Sequence, residues 1–303
     1  MNDRSIMQFE DIKNIGIVGA GQMGRGIAQV CATAGYQVLL VDVAEPLLAE
    51  AVSKIRAGLD RAIEGGLQCQ TEEVLARIRP VVQIDRLRDA QLIIEAIPED
   101  LARKQALFGE LNRHCQSHAI LASNTSSISI TKLGAASARP DRVLGVHFMN
   151  PVPVMRLVEI VQGPETSQHT LQMAMELSRR LGKVPVVAKD VPGFIVNRVL
   201  MPMINEAVFA LGDGVASAED IDLAMTAGAN HPVGPLALAD RIGLDTVLAI
   251  CEVLYQDLGD PKFRPSPLLR RYVEAGWLGR KAGRGFYHYE ARGARQETAS
   301  QKM

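Results

Sequence analysis

KNIGIVGAGQMGRGIAQVCATAGYQVLLVD, residues 13–42, reads as a strand, a glycine turn, a helix and a second strand that ends on a carboxylate. Ile15, Ile17 and Val18 make a short apolar strand. Gly19, Gly21 and Gly24 then give G-x-G-x-x-G spacing, with Ala20, Gln22 and Met23 between them, and a helix follows from about Gln22 to Ala34. Each glycine has a mechanical reason. Gly19 permits a tight turn, Gly21 keeps side chains away from a pyrophosphate, and Gly24 lets the helix pack closely on the strand. The free N–H groups and dipole of the helix N-terminus favour the negative charge of phosphates there. Asp42 closes the second strand 18 residues beyond Gly24, where a carboxylate can accept hydrogen bonds from ribose hydroxyls. The same charge would repel a 2′-phosphate, so the expected cofactor is NAD rather than NADP.

The chain has 303 residues and is 47% hydrophobic, enough for two separate cores. A net charge of −1 with both signs mixed gives no reason to expect nucleic acid or a membrane surface as partner, and a small ligand fits better. Cys31, Cys69, Cys115 and Cys251 lie far apart with no C-x-x-C pair, so they are expected to be reduced thiols, and no metal-ligand spacing is visible. Residues 1–14 carry Asp3, Glu10 and Asp11 and lack an apolar targeting segment, and no stretch reaches the length of a transmembrane helix. A cytoplasmic protein is expected.

After Asp42 the pattern predicts a helical hairpin, from about Pro46 to Glu64 and from about Thr71 to Arg79. Its Lys54, Arg56 and Arg61 either meet an anionic ligand or are simply solvated. Apolar runs at 81–84, 92–96 and 120–122 read as further strands of a doubly wound sheet. They bring Glu99, Lys104 and the Ser123–Ser127 segment to the carboxyl edge, where such sheets bind ligands. Residues 142–148 and 155–161 read as two strands joined through Asn150-Pro151-Val152-Pro153, able to pair antiparallel and return Glu159 towards His147. A helix at 167–181 and a strand at 184–188 complete this half. Beyond Asp190-Val191-Pro192-Gly193 only helical patterns remain: 196–211, 218–227, 236–258 and 267–275.

The expected architecture is therefore α/β: a Rossmann-type, doubly wound, mostly parallel sheet with an inserted helical hairpin, then a smaller all-α domain. Residues 1–189 form the NAD-binding domain, 190–291 the helical substrate and dimerisation domain, and 292–303 a disordered tail. A nicotinamide enzyme that oxidises an alcohol needs a base beside the reacting carbon. Histidine with a carboxylate partner suits that task near neutral pH. His147 with Glu159 fits, although a satisfied histidine at a strand end is an equal alternative from spacing alone.

HFMNPVPVMRLVEIV (147–161), SNTSS (123–127), DVPGFIVNR (190–198), HPVGPLALADRIGLD (231–245) and GRKAGRGFY (279–287) resemble the L-3-hydroxyacyl-CoA dehydrogenases, in particular their bacterial 3-hydroxybutyryl-CoA type. The resemblance runs from about Lys13 to Tyr289. It implies His147 as catalytic acid/base, Glu159 as its partner, and Ser126 and Asn197 as groups that hold the substrate oxygen. It also implies that Gly19 to Gly24, Asp42, Glu99, Lys104, Ser126, Asn150 and Lys281 contact NAD, and that an acyl-CoA is the substrate. Where the family's hairpin directs a serine and a lysine at CoA, this chain has Gly58 and Gly65. Other substrates compatible with the residues are a free 3-hydroxy acid or a carrier-bound hydroxyacyl group, and a non-catalytic NAD-binding relative is a third possibility. A homodimer through the helical domain is expected, since Val199, Leu200, Ile204 and Val208 add to an apolar content that so small a domain cannot all bury.

Overall fold

In the computed structural model, which describes residues 7–289, β1 (Asn14–Val18) leads through α1 (Gln22–Thr33) to β2 (Gln37–Val41), α2 (Glu45–Glu64), α3 (Thr71–Leu75) and β3 (Ile78–Val81). The chain then returns through β4 (Leu92–Glu95), α4 (Leu101–His114), β5 (Ile120–Ser123), α5 (Ile130–Ser137), β6 (Val143–Phe148), β7 (Leu157–Gln162), α6 (Gln168–Arg180) and β8 (Val184–Lys189). All eight strands form one sheet in the order β3-β2-β1-β4-β5-β6-β7-β8. The neighbours from β3 to β6 are parallel, β7 runs antiparallel to β6, and β8 runs with β7. Strand order therefore reverses between β1 and β4, which opens a crevice at their carboxyl ends.

Every residue of β4, β5 and β6 is buried, as expected for parallel strands covered on both faces. Alternation along β4 divides the core. Leu92 and Ile94 pack with Ile27 of α1 and Ile55 of α2, while Ile93 packs on the other face with Phe108 of α4 and Leu133 of α5.

Three local expectations change. The second hairpin helix stops at Leu75, and the next strand is Ile78–Val81 rather than 81–84, because Ile78 pairs with Val38. Pro80 is tolerated there since β3 is the edge strand. α5 has no counterpart in the hydrophobic pattern. Ser129 caps its start by accepting from Lys132 N, and Asp190 braces it, with its carboxylate accepting from the N–H groups of Ile130 and Thr131 and from the hydroxyls of Ser129 and Thr131.

The described residues form two compact units, one reaching Phe194 and one starting at Ile195. The second comprises α7 (Val196–Gly212), α8 (Ala218–Leu223), α9 (Pro235–Ile242), α10 (Leu244–Leu258) and α11 (Pro267–Glu274). The single helix expected over 236–258 is broken at Gly243, whose φ of +102° no other residue adopts without strain. Ile204 and Val208, expected at a subunit interface, lie in this unit's own core with Leu236, Val247 and Leu269, whereas Val199 is 69% exposed. The tail expected to be disordered, 292–303, lies outside the described residues.

Candidate active site

The site starts at the glycine turn. Gly19 has φ +103°, and a Cβ there would stand 2.5 Å from the Ala96 carbonyl oxygen. A Cβ on Gly24 would stand 1.7 Å from the Gly19 carbonyl oxygen, so the helix sits against the turn with no room for one more carbon. At Gly21 an added carbon would meet nothing within 4 Å. That open space lies at the start of α1, whose N-terminus has no side-chain cap. The turn is held from β2, where Asp42 Oδ2 accepts from Ala20 N at 2.6 Å and Oδ1 from Val43 N at 2.7 Å. A helix start without a side-chain cap, open space at Gly21 and a carboxylate with further acceptor capacity fit the pyrophosphate and ribose of a dinucleotide.

The ends of β4 and β5 carry a buried ionic network. Lys104, 1% exposed, donates to Glu95 Oε1 and to the Ile97 carbonyl, and its Nζ lies 3.2 Å from Glu99 Oε2. The other oxygen of Glu95 accepts from the Ser123 hydroxyl at 2.6 Å. Glu99 Oε1 accepts from the Thr125 hydroxyl at 2.5 Å, the Ser126 N–H at 3.1 Å and the Ser127 hydroxyl at 3.1 Å. Burial works against ionisation of Glu99. The Lys104 ammonium and the hydrogen bonds from Thr125 and Ser126 outweigh it and hold the carboxyl below the ordinary range. Glu95 escaped the sequence analysis. Its signal was a charged residue closing the apolar run Leu92-Ile93-Ile94, at the sheet edge where ligands bind.

His147 and Glu159 face each other across the antiparallel β6–β7 pair. Nδ1 of His147 lies 2.7 Å from Glu159 Oε2, with the carboxylate fully buried and the histidine 8% exposed. The Phe194 ring meets the imidazole edge-on, centroids 5.7 Å apart. With Nδ1–H donated to the carboxylate, Nε2 is the nitrogen able to exchange a proton with a ligand. Asn124 Oδ1 accepts from Phe148 N at 2.9 Å and so ties the Ser123–Ser127 loop to the strand that carries His147.

Asn150 Oδ1 accepts from Gln22 Nε2 at 2.9 Å, which links the connection after β6 to the start of α1. The connection is anchored from below by Lys183, whose ammonium donates to the carbonyls of Val152 and Met155. It forms one wall of a groove of about 630 Å³ whose other walls, from α1 and α2, bear Arg25, Gln29, Lys54, Gly58 and Arg61. Lys54 also pairs with Glu50 one turn back on α2, and Arg56 pairs with Glu72 of α3. Thus the first unit brings together the glycine turn, Asp42, Glu99, Lys104, Ser126, His147, Asn150 and Glu159. Asn197 and Lys281 belong to the second unit. Asn197 is buried on α7, and Lys281 is half-exposed and donates to Asp245 at 2.6 Å. Among the described residues no group of three or more His, Cys, Asp or Glu could hold a metal, and no helix is long and apolar enough to cross a membrane.

A crevice at a topological switch point, a capless helix above a glycine turn, and a histidine–carboxylate pair on the same edge are features of a nicotinamide-dependent oxidoreductase. Residues 14–191 match the model of the 3-hydroxyacyl-CoA dehydrogenase NAD-binding domain, and residues 193–289 match that family's C-terminal domain. The chain belongs to the 3-hydroxyacyl-CoA dehydrogenase family and is an NAD-dependent oxidoreductase. It is 53% identical over 283 residues to a probable 3-hydroxybutyryl-CoA dehydrogenase of Bacillus subtilis, covering 92% of this chain and 98% of that one. It is 50% identical to the 3-hydroxybutyryl-CoA dehydrogenase of Bradyrhizobium diazoefficiens, covering 94% and 97% of the two chains. The crystal structure of (S)-3-hydroxybutyryl-CoA dehydrogenase from Ralstonia eutropha superposes with a TM-score of 0.89 at 49% identity, covering 92% of this chain and all of that one.

Proposed function

We propose that the enzyme interconverts a short-chain L-3-hydroxyacyl-CoA, 3-hydroxybutyryl-CoA first among them, and the 3-ketoacyl-CoA, with His147 and Glu159 as its acid/base pair. The observation that carries the pair is the 2.7 Å contact between Nδ1 and a fully buried carboxylate. In the oxidising direction Nε2 takes the proton of the 3-hydroxyl as the carbonyl forms, and Glu159 stabilises the resulting imidazolium. In the reducing direction the imidazolium returns that proton to the 3-oxygen. NAD bound there would supply the acceptor for the hydride that leaves C3. Ser126 and Asn197 hold the 3-oxygen and neighbouring atoms. Gly19 to Gly24, Asp42, Glu99, Lys104, Asn150 and Lys281 hold the cofactor, Asp42 through the ribose. The CoA end lies in the groove between α1 and α2, where Arg25, Lys54 and Arg61 offer cations to its phosphates. The enzyme works in the cytoplasm as a homodimer joined through its helical domain. The exposed Ile195 and Val199, one helical turn apart, support the latter.

Following NADH oxidation with acetoacetyl-CoA, longer 3-ketoacyl-CoAs and free acetoacetate tests the substrate. Acetoacetyl-CoA is expected to give the highest kcat/KM. A preference for free acetoacetate would assign the protein to hydroxy-acid dehydrogenases instead.

A further inference from the structure

One wall of the groove between α1 and α2 carries a polar group that no protein atom satisfies. Gln29 is 7% exposed and lines the groove, yet its amide has no hydrogen-bond partner among the described residues. None of the described side-chain atoms that are both sealed and unpartnered belongs to Gln29, so what remains exposed of its amide opens to the groove. Gly58 is the reason it is uncovered. A Cβ at that position of α2 would stand 3.1 Å from Gln29 Oε1 and 3.8 Å from Nε2, so glycine leaves the face of the amide bare. A buried amide without partners costs stability unless an occupant takes up its hydrogen bonds.

We propose that Gln29 is a specificity-determining residue for the acyl-CoA, its amide reading a group on the CoA moiety that presents a donor beside an acceptor. The proposal rests on the reading that this groove holds the CoA end. A primary amide offers one acceptor and two donors, which complement such an edge. Phosphates, which only accept, are served by Arg25, Lys54 and Arg61 on the same walls. Two parts of CoA have the required chemistry: the secondary amides of the pantetheine arm and the amino edge of adenine.

Steady-state reduction of acetoacetyl-CoA, acetoacetyl-pantetheine and S-ethyl acetothioacetate by wild type, Gln29→Leu and Gln29→Glu tests this. Gln29→Leu is expected to raise KM for acetoacetyl-CoA about tenfold, with kcat within about twofold and KM for NADH unchanged. Gln29→Glu keeps an acceptor and loses both donors, and is expected to fall between. Gly58→Ala, which covers the amide from α2 without altering it, is expected to raise the same KM and decides the matter if Gln29→Leu does not fold. A rise repeated with acetoacetyl-pantetheine assigns the contact to the arm, and a rise confined to acetoacetyl-CoA assigns it to adenine. Unchanged KM for acetoacetyl-CoA in the folded variants, or a loss confined to kcat, overturns the proposal. If wild type shows the same KM for acetoacetyl-CoA and S-ethyl acetothioacetate, the assignment of CoA to the groove has itself failed.

Discussion

Replacing His147 by Gln keeps a polar side chain beside Glu159 but removes the imidazole nitrogen proposed to exchange the substrate proton. A positioned acid/base contributes roughly 10²–10⁴-fold, so kcat is expected to fall by about that factor while the dissociation constant for NAD stays the same. Stopped-flow turnover together with fluorescence titration of the cofactor checks both halves. A folded variant with ordinary turnover would make His147 a structural residue. Asp42 has a second, separable task. Its carboxylate holds the glycine turn through Ala20 and is also the group proposed to face a 2′-phosphate. Asp42→Ala is expected to lower kcat/KM with NAD and narrow the preference over NADP. Equal use of both cofactors by the wild type would remove Asp42 from the argument.

At the scale of elements, the Ser123–Ser127 loop keeps its shape because Glu99, just before α4, gathers four of its donors onto one oxygen. This makes the loop sensitive to acid. The Glu99 carboxyl is held below its ordinary value of 4.5, so its contribution to stability is present above that value and is lost as pH falls through the lower, folded-state value. Thermal melts of wild type and Glu99→Gln should therefore differ most near neutral pH, with wild type the more stable. The gap should close as pH drops below about 4.5. A gap that stays constant with pH would mean that the loop's order does not depend on the carboxylate's charge.

The whole molecule presents two cores of different character. The sheet of the first unit is covered on both faces, whereas the second unit buries Ile204 and Val208 and leaves Ile195 and Val199 on its surface. If that surface is a subunit seam, a charge there should be costly, because an unpaired lysine would lose its hydration on association. Val199→Lys is expected to convert the protein from a dimer to a monomer with its circular dichroism unaltered. Light scattering at micromolar concentration checks both proteins. A monomeric wild type would refute the seam.

The local features determined by sequence alone are those whose physics is local. The turn from Gly19 to Gly24 and the strands around it follow from backbone freedom and alternating apolar residues, and helix starts such as Ser217 follow from capping. Even the return of Glu159 towards His147 was open to sequence, because two apolar strands joined through a proline-bounded connection can pair antiparallel, as β6 and β7 do. Tertiary structure decided what depends on partners far along the chain. The start of α5, capped locally by Ser129, is also braced by Asp190, which supplies acceptors from 60 residues away. Ile78 became a strand residue because β2 offered it a ladder, and Glu95 could be buried only because Lys104 and Ser123 converge on it. The groove was invisible in sequence for the same reason: Gln29 and Gly58 lie on separate helices, and only their packing leaves one amide uncovered.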